Sequence, residues 1–161
     1  MLRVNIVGIG PGNPDLLTGA ARKAVEAANI LIGDKRMLQG FSQTNKKVYT
    51  TIKTKEIAEI AEAADEEKDV IAILVSGDVG FFSLAKTIQG KLPNCDCKRF
   101  AGISSLVYFA SQIEMSWDDA KIVSMHGREQ NLIHAVATNK KVFSLTGGDN
   151  SAHALCRRLT D

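Results

Sequence analysis

Short apolar runs alternate along the chain with segments of helical periodicity. Residues 4–9 form a β-branched run, and residues 70–75 form the most apolar run in the sequence. Both runs are typical of parallel strands that are buried on two faces. Further strands are predicted at 29–33, 47–50, 98–100, 121–124 and 141–145.

The segments between these strands predict helices. Thr18 can cap a helix that runs to Ala28, because apolar residues recur there every three or four positions. Similar patterns follow at 54–64, 84–92, 105–113, 132–137 and after Ser151. The helix at 84–92 is expected to turn Leu84, Ala85, Ile88 and Leu92 inward, and the helix that follows carries Leu106, Val107, Phe109, Ala110 and Ile113. Strands that alternate with helices indicate an α/β fold with an open, parallel sheet.

The predicted elements fall into two groups. Residues 1–113 form an N-terminal α/β domain, and residues 117–161 form the start of a second α/β domain. The second group supplies only two strands and two helices, and a two-stranded sheet is marginally stable alone. We therefore expect this second domain to be truncated.

Composition narrows the class of protein. The chain has 161 residues, of which 45% are hydrophobic and 24% charged, as in ordinary globular proteins. A net charge of +2 gives no support to a nucleic-acid partner. The absence of an apolar run near ~20 residues and of a secretory signal predicts a cytoplasmic protein without a membrane partner. Cys95, Cys97 and Cys156 are predicted to be reduced thiols, and no metal site is expected.

A glycine-rich loop follows the first strand. Gly8, Gly10 and Gly12 allow the backbone to approach a ligand closely, and the prolines beside them force a turn. Gly8 and Gly10 also begin a dinucleotide-binding fingerprint, with Asp34 as a possible ribose ligand. Asn13 stands where that fingerprint needs its third glycine, which makes this alternative the weaker one.

Two other strand ends carry small and polar residues. Ser76, Gly77 and Asp78 follow the most apolar strand, and Ser104 and Ser105 follow the strand at 98–100. Ligands of open α/β sheets bind beyond the carboxyl ends of strands, so these residues are candidate ligand contacts. Asp78, Ser104 and Ser105 can also serve as helix caps.

The ordered motifs resemble those of the tetrapyrrole methylases. The opening is similar to that family's Gly-x-Gly-Pro-Gly-Asp followed by Pro-x-Leu-Leu-Thr, with Asn13 in place of the aspartate. Later motifs of the same kind are at 76–83, 102–105 and 145–151. The segments 116–120 and 125–128 resemble the branch that methylates carbon 5 of cobalt-precorrin-7 in cobalamin synthesis.

The resemblance implies a methyltransferase that uses S-adenosylmethionine, releases S-adenosylhomocysteine and acts on a tetrapyrrole as a homodimer. The implied donor site lies between the two domains, and its contacts map to Pro11, Ser76, Gly77, Asp78, Phe81, Ser104, Ser105 and Leu145. The implied tetrapyrrole contacts include Gly10, Gly12, Lys35 and Arg36. Asn13 and His126 are weak candidates for the catalytic residue, although a single histidine is more often structural.

Several alternatives remain open from the sequence. Other members of the superfamily include diphthine synthase and a ribosomal RNA 2′-O-methyltransferase, and outside it stand a nicotinamide oxidoreductase and a silent binding module. Lys35, Arg36, Arg99 and Arg128 can pair with substrate carboxylates or be ordinary surface residues. Phe81 and Phe82 are expected to be core residues rather than stacking partners of a macrocycle. Because family members are longer, we also expect weak donor binding by this chain and partial stabilisation by a second copy.

Overall fold

A computed structural model describes residues 1–41, 45–127 and 130–160. The chain divides into two compact units, residues 1–108 and residues 109–161. The sequence analysis placed the change of domain between residues 113 and 117, and that assignment stays a prediction. The strands are β1 (Arg3–Gly8), β2 (Ile30–Gly33), β3 (Lys47–Thr50), β4 (Val70–Val75), β5 (Asp96–Phe100), β6 (Lys121–Ser124) and β7 (Val142–Leu145). The helices are α1 (Gly19–Glu26), α2 (Lys35–Gln39), α3 (Thr54–Glu62), α4 (Ala85–Gly90), α5 (Ser105–Gln112), α6 (Leu132–Thr138) and α7 (Ala152–Thr160).

The first unit is built on a five-stranded sheet in the order β3-β2-β4-β1-β5. Every neighbouring pair is parallel, which confirms the predicted sheet. β4 is the middle strand, as its apolar run predicts, and β1 lies between β4 and β5. The loops that follow β4, β1 and β5 are therefore neighbours at one edge of the sheet.

Helices cover both faces of this sheet. On one face α3 and α4 supply Ile57 and Ile88, which pack with Ile6 and Ile73. On the other face α1 and α2 supply Ala21, Ala24, Val25 and Leu38, which pack with Val7, Leu31 and Leu74. Burial of aliphatic side chains on both sides provides most of the free energy that holds the sheet and its loops in place.

The second unit has a smaller core. β6 and β7 are parallel, with Lys121 opposite Val142, and these two strands are its sheet within the residues that the structure describes. Val123, Met125, Leu132, Ala135 and Leu155 form its buried cluster. The expectation that this sheet needs further strands stays a prediction.

Leu84, which is predicted to face inward, lies at the surface instead, and so do three apolar residues near and within α5. Leu84, Val107, Phe109 and Ile113 are between 40% and 51% exposed. α4 begins at Ala85, so Leu84 is at its N-cap position and points away from the core. α5 buries the narrower stripe of Leu106 and Ala110 alone. α1 also ends at Glu26, short of the predicted Ala28.

Among the described residues, no helix combines the length and the apolar character that a membrane crossing requires. Cys95 and Cys97 are partly buried and pack against the first core cluster, and Cys156 is exposed. All three cysteines are free, as predicted.

Candidate functional site

Three loops meet beyond the carboxyl ends of β1, β4 and β5. We call the segments 9–13, 76–80 and 101–105 the glycine loop, the β4 loop and the β5 loop. The sheet order brings them together, since β1 lies between β4 and β5. The structure thus places most of the predicted ligand-contacting residues of the first unit in one cluster.

The glycine loop and the β4 loop are joined by backbone hydrogen bonds. Gly10 N–H donates to the Gly77 carbonyl at 3.1 Å, and Gly77 N–H donates to the Gly10 carbonyl at 2.9 Å. Both glycines have positive φ angles, +69° for Gly10 and +64° for Gly77. This left-handed conformation is costly for residues with a Cβ, so glycine is favoured at both positions.

The β5 loop approaches the other two still more closely. A Cβ on Gly102 would lie 2.2 Å from the Gly77 carbonyl oxygen and 2.5 Å from the Gly8 carbonyl oxygen. A Cβ on Gly8 would lie 2.7 Å from the Gly77 oxygen and 2.8 Å from the Gly102 nitrogen. Backbone atoms fill this point, and no side chain larger than hydrogen fits at Gly8 or Gly102.

Asp78 ties the β4 loop to the β5 loop. Its Oδ1 accepts from Gly80 N–H at 2.8 Å, and its Oδ2 accepts from Gly102 N–H at 3.2 Å. The next helix, α4, begins only at Ala85, so the suggested role of Asp78 as a helix cap near Gly80 is wrong. Both carboxylate oxygens fix backbone groups, which makes Asp78 a cross-link between loops.

The two serines of the β5 loop differ in exposure. Ser104 is buried and caps α5, because its Oγ accepts from Val107 N–H at 3.2 Å. Ser105 and Ser76 are exposed. A Cβ on Gly77 would lie 3.8 Å from Ser104 Cα and 3.9 Å from Ser105 N, so a side chain at this position would pack against the two serines.

The aromatic pair after the β4 loop does not belong to the core. Phe82 is 44% exposed and has a φ angle of +48°, and Phe81 is partly buried. Their rings make an edge-to-face contact with centroids 5.0 Å apart. The expectation that Phe82 is a core residue is therefore wrong, because the chain turns sharply there and carries the ring outward.

The far end of the glycine loop borders a shallow pocket. Asn13 Oδ1 accepts from Asp15 N–H at 2.9 Å and so caps a 3-10 turn at Pro14–Leu16. The pocket has a volume of about 30 Å³ and is lined by Ile9, Gly12, Asn13, Pro14, Leu17, Arg36, Met37, Gly40 and Phe41. Pro11 and Gly12 are exposed beside it.

Arg36 contributes the positive charge of this pocket. Its backbone N–H and its Nε both donate to Asp34 Oδ1, at 2.9 and 3.3 Å. The backbone N–H of Arg36, and then its guanidinium, hold the pKa of the Asp34 carboxyl below its ordinary value. Asp34 is thus the cap of α2, and this use replaces its suggested role as a ribose ligand.

The other predicted basic residues are placed differently. Lys35 is exposed and does not line the pocket. Arg99 lies within β5, before the loop, and its Nε donates to Gln89 Oε1 at 2.8 Å. Arg128 lies outside the described residues. Of the four, Arg36 is the one that the structure brings to the glycine loop.

The second unit has its own cluster at the ends of β6 and β7. Leu145 accepts from Met125 N–H at 2.8 Å, and the Asn150 side chain donates to the Met125 carbonyl at 3.0 Å. His126 is exposed and lies against Gly147, where an added Cβ would be only 1.8 Å from its Nδ1. The donor contact at Leu145 and the catalytic roles of Asn13 and His126 stay predictions.

Two contacts that the sequence did not predict brace the loops from α1. Thr18 caps α1 as expected, through Ala21 N–H at 3.2 Å, but its hydroxyl also donates to the Ala101 carbonyl at 3.0 Å. Arg22 Nη2 donates to the Pro14 carbonyl at 2.9 Å. Only the capping role of Thr18 could be predicted from the sequence. The bonds from Thr18 to Ala101 and from Arg22 to Pro14 depend on the fold.

This geometry disfavours the dinucleotide alternative. A dinucleotide fold places a helix N-terminus directly after the glycine loop, where its N–H groups bind the pyrophosphate. Here a 3-10 turn follows Asn13, and α1 begins only at Gly19. Within residues 9–19, all of which the structure describes, no helix N-terminus therefore follows the glycine loop directly.

Comparison with known proteins identifies the family. The model of the Tetrapyrrole (Corrin/Porphyrin) Methylases matches residues 3–161. The chain belongs to the tetrapyrrole methylase family. This result confirms the resemblance seen in the sequence motifs.

Individual tetrapyrrole methylases agree with this assignment. The chain is 35% identical over 148 residues to the probable cobalt-precorrin-7 C(5)-methyltransferase of Methanocaldococcus jannaschii, covering 88% of this chain and 70% of that protein. It is 27% identical to the cobalt-precorrin-7 C(5)-methyltransferase of Salmonella typhimurium, covering 97% of this chain and 77% of that protein.

A solved structure confirms the fold. The uroporphyrin-III C-methyltransferase of Thermus thermophilus, determined with S-adenosylhomocysteine, superposes with a TM-score of 0.68. It is 26% identical, and the match covers 96% of this chain and 76% of that one. The predicted tetrapyrrole methylase fold is therefore confirmed.

Proposed function

We propose that this tetrapyrrole methylase transfers a methyl group from S-adenosylmethionine to carbon 5 of cobalt-precorrin-7. The names of the two relatives described above support this reaction. The observation that carries the proposal is the meeting of the glycine, β4 and β5 loops at backbone distances that exclude any side chain.

The residues present fit the methyl donor. Gly77 has no side chain that would pack against Ser104 and Ser105, whereas an added Cβ would lie 3.8 Å from Ser104 Cα and 3.9 Å from Ser105 N. Ser76 and Ser105 follow β4 and β5 at the same edge of the sheet. Both are exposed, and their hydroxyls can hydrogen-bond the donor's polar groups. We therefore propose donor contacts at Pro11, Ser76, Gly77, Asp78, Phe81, Ser104 and Ser105.

The chain's part in the reaction is alignment rather than covalent chemistry. The bound donor supplies a methyl group on a sulfonium, which a ring carbon of the substrate displaces directly. Hydrogen bonds between loops fix the backbone before the ligand arrives, as those of Gly10, Gly77 and Asp78 do. Fixed groups lower the barrier because their ordering cost is not incurred again in the transition state.

The tetrapyrrole is proposed to lie against the glycine loop. The exposed Gly12 and the guanidinium of Arg36 border the same pocket. A precorrin carries several carboxylates, and arginine pairs well with carboxylates. Gly10, Gly12 and Arg36 are the proposed contacts, and Lys35, which is exposed outside the pocket, is proposed as a peripheral contact only. A homodimer is a further proposal, which rests on the resemblance. A cytoplasmic location is another, which rests on the three free cysteines.

Incubation with ¹³C-methyl S-adenosylmethionine and cobalt-precorrin-7 tests the reaction. We expect stoichiometric S-adenosylhomocysteine and one new methyl resonance bonded to carbon 5. Methylation at another ring carbon, or of ribosomal RNA or a diphthine precursor in parallel assays, would contradict the proposed substrate.

Arg36→Ala is expected to weaken tetrapyrrole binding more than Lys35→Ala does. Loss of a charge-assisted contact at the pocket should lower affinity by roughly fivefold to tenfold at low salt. Lys35 is the matched control, because it is exposed and outside the pocket, and its loss should cost less than about twofold. The measurement is fluorescence or absorbance titration at two ionic strengths. Equal effects of the two variants would remove Arg36 from the site.

A further inference from the structure

We infer that Thr18 is a positioning residue that couples the glycine loop to the β5 loop. Its hydroxyl donates to the Ala101 carbonyl at 3.0 Å, across 83 positions of sequence. The same oxygen accepts from Ala21 N–H at 3.2 Å and so starts α1. One hydroxyl thereby holds the helix that follows the glycine loop to the loop that carries Ser104 and Ser105.

The neighbouring contacts make this link the centre of a short chain. Arg22, one turn into α1, donates to the Pro14 carbonyl at 2.9 Å and holds the 3-10 turn that follows the glycine loop. Gly10 lies close to both the 3-10 turn and the β5 loop. A Cβ added to it would be 3.3 Å from the Leu16 carbonyl oxygen and 3.8 Å from the Ile103 nitrogen. A shift of the β5 loop is therefore transmitted through Thr18 to α1 and to the 3-10 turn at Pro14–Leu16 that follows the glycine loop.

The consequence is that binding of one ligand changes the affinity of the protein for the other. The inference rests on the proposed function, in which the β5 loop contacts the donor and the glycine loop contacts the tetrapyrrole. A ligand that fixes one loop lowers the ordering cost of the other, which gives positive coupling between binding events. Thr18 then acts on the order of binding without contacting the reacting atoms.

Three substitutions separate this role from helix capping. Thr18→Ser keeps the hydroxyl, and with it both hydrogen bonds. Thr18→Asp keeps an oxygen that can cap α1 but has no proton to donate to the Ala101 carbonyl. Thr18→Val removes both the cap and the link.

The experiment is hydrogen exchange of the whole chain with and without saturating S-adenosylhomocysteine, together with its affinity by calorimetry. In the parent and in Thr18→Ser, the ligand should slow the exchange of the backbone amides at 101–107. It should also slow the exchange of the Leu16 and Leu17 amides, by roughly three- to tenfold. In Thr18→Asp the slowing should remain at 101–107 and disappear at Leu16 and Leu17. Thr18→Val should behave like Thr18→Asp and melt at a lower temperature.

The outcomes distinguish this inference from the proposed function. Failure of the parent to bind S-adenosylhomocysteine would overturn the proposed function together with the coupling. Binding by the parent, with equal slowing at Leu16 and Leu17 in Thr18→Asp, would overturn the coupling alone. If Thr18→Ser also lost the slowing at Leu16 and Leu17, that result would contradict the coupling too, because this variant retains the hydroxyl.

Discussion

Gly102→Ala is expected to destabilise the protein and to weaken S-adenosylhomocysteine binding at least about tenfold, or ~1.4 kcal/mol. The added Cβ would lie 2.2 Å from the Gly77 carbonyl oxygen and 2.5 Å from the Gly8 carbonyl oxygen. Both neighbours are backbone atoms at strand ends, so they cannot rotate away. Overpacking of this kind costs about 3 kcal/mol or more, which corresponds to a fall of roughly 6–12 °C in Tm.

Gly19→Ala is the matched control for this prediction. Gly19 is the first residue of α1, and a Cβ there would meet nothing within 4 Å. Alanine should therefore be neutral or stabilise the fold by about 0.4–1 kcal/mol. Thermal melts and calorimetry on both variants provide the comparison. Parent-like stability and affinity in Gly102→Ala would show that the three loops do not approach as described.

Gly77→Val is expected to lower S-adenosylhomocysteine affinity by roughly a hundredfold or more, or about 2.8 kcal/mol, while the protein remains folded. A Cβ at this position would stand 3.8 Å from Ser104 Cα and 3.9 Å from Ser105 N. The two methyl groups of valine would then cover the serines. The backbone φ of +64° adds strain of about 1–3 kcal/mol for a residue with a Cβ.

Gly127→Val separates the steric block from the strain. Gly127 has a φ of +62°, and no atom of the described residues lies within 4 Å of an added Cβ, so valine incurs a similar backbone cost there without a described steric contact. We expect a similar loss of Tm in the two variants and parent-like S-adenosylhomocysteine affinity in Gly127→Val alone. Equal affinities in the two variants would remove Gly77 from the donor site.

Much of the fold could be predicted from local sequence. The apolar runs of β1 and β4 mark strands buried on both faces, and the structure places β4 in the middle of the sheet. Thr18 and Ser151 were recognisable as caps because serine and threonine accept backbone N–H groups at helix starts. These features depend on neighbours within a few residues, which is why the sequence pattern reveals them.

The sequence was least informative where a side chain's surroundings depend on distant parts of the chain. Periodicity marked Val107, Phe109 and Ile113 as apolar positions of α5, but it does not say how wide a stripe the sheet covers. Phe82 looked like core, yet its left-handed backbone turns the ring outward. Helical periodicity carries no information about such a turn.

The candidate site shows the same difference between local features, which the sequence reveals, and contacts between distant residues, which it does not. Glycines and small polar residues at the ends of β1, β4 and β5 could be recognised as candidate ligand contacts because parallel strands end at one edge. The cross-links could not be recognised. Asp78 bonds Gly102 across 24 positions and Thr18 bonds Ala101 across 83, and both depend on the strand order. That order is a property of the packed sheet.

Calorimetric titration of the parent chain with S-adenosylhomocysteine, beside a titration with NADH, tests the central claim most directly. The cluster of three glycine-containing loops predicts saturable binding of S-adenosylhomocysteine at one site. Because a 3-10 turn rather than a helix follows the glycine loop, we expect no heat of binding with NADH. Binding of NADH without binding of S-adenosylhomocysteine would contradict the assignment of these loops to a methyl donor.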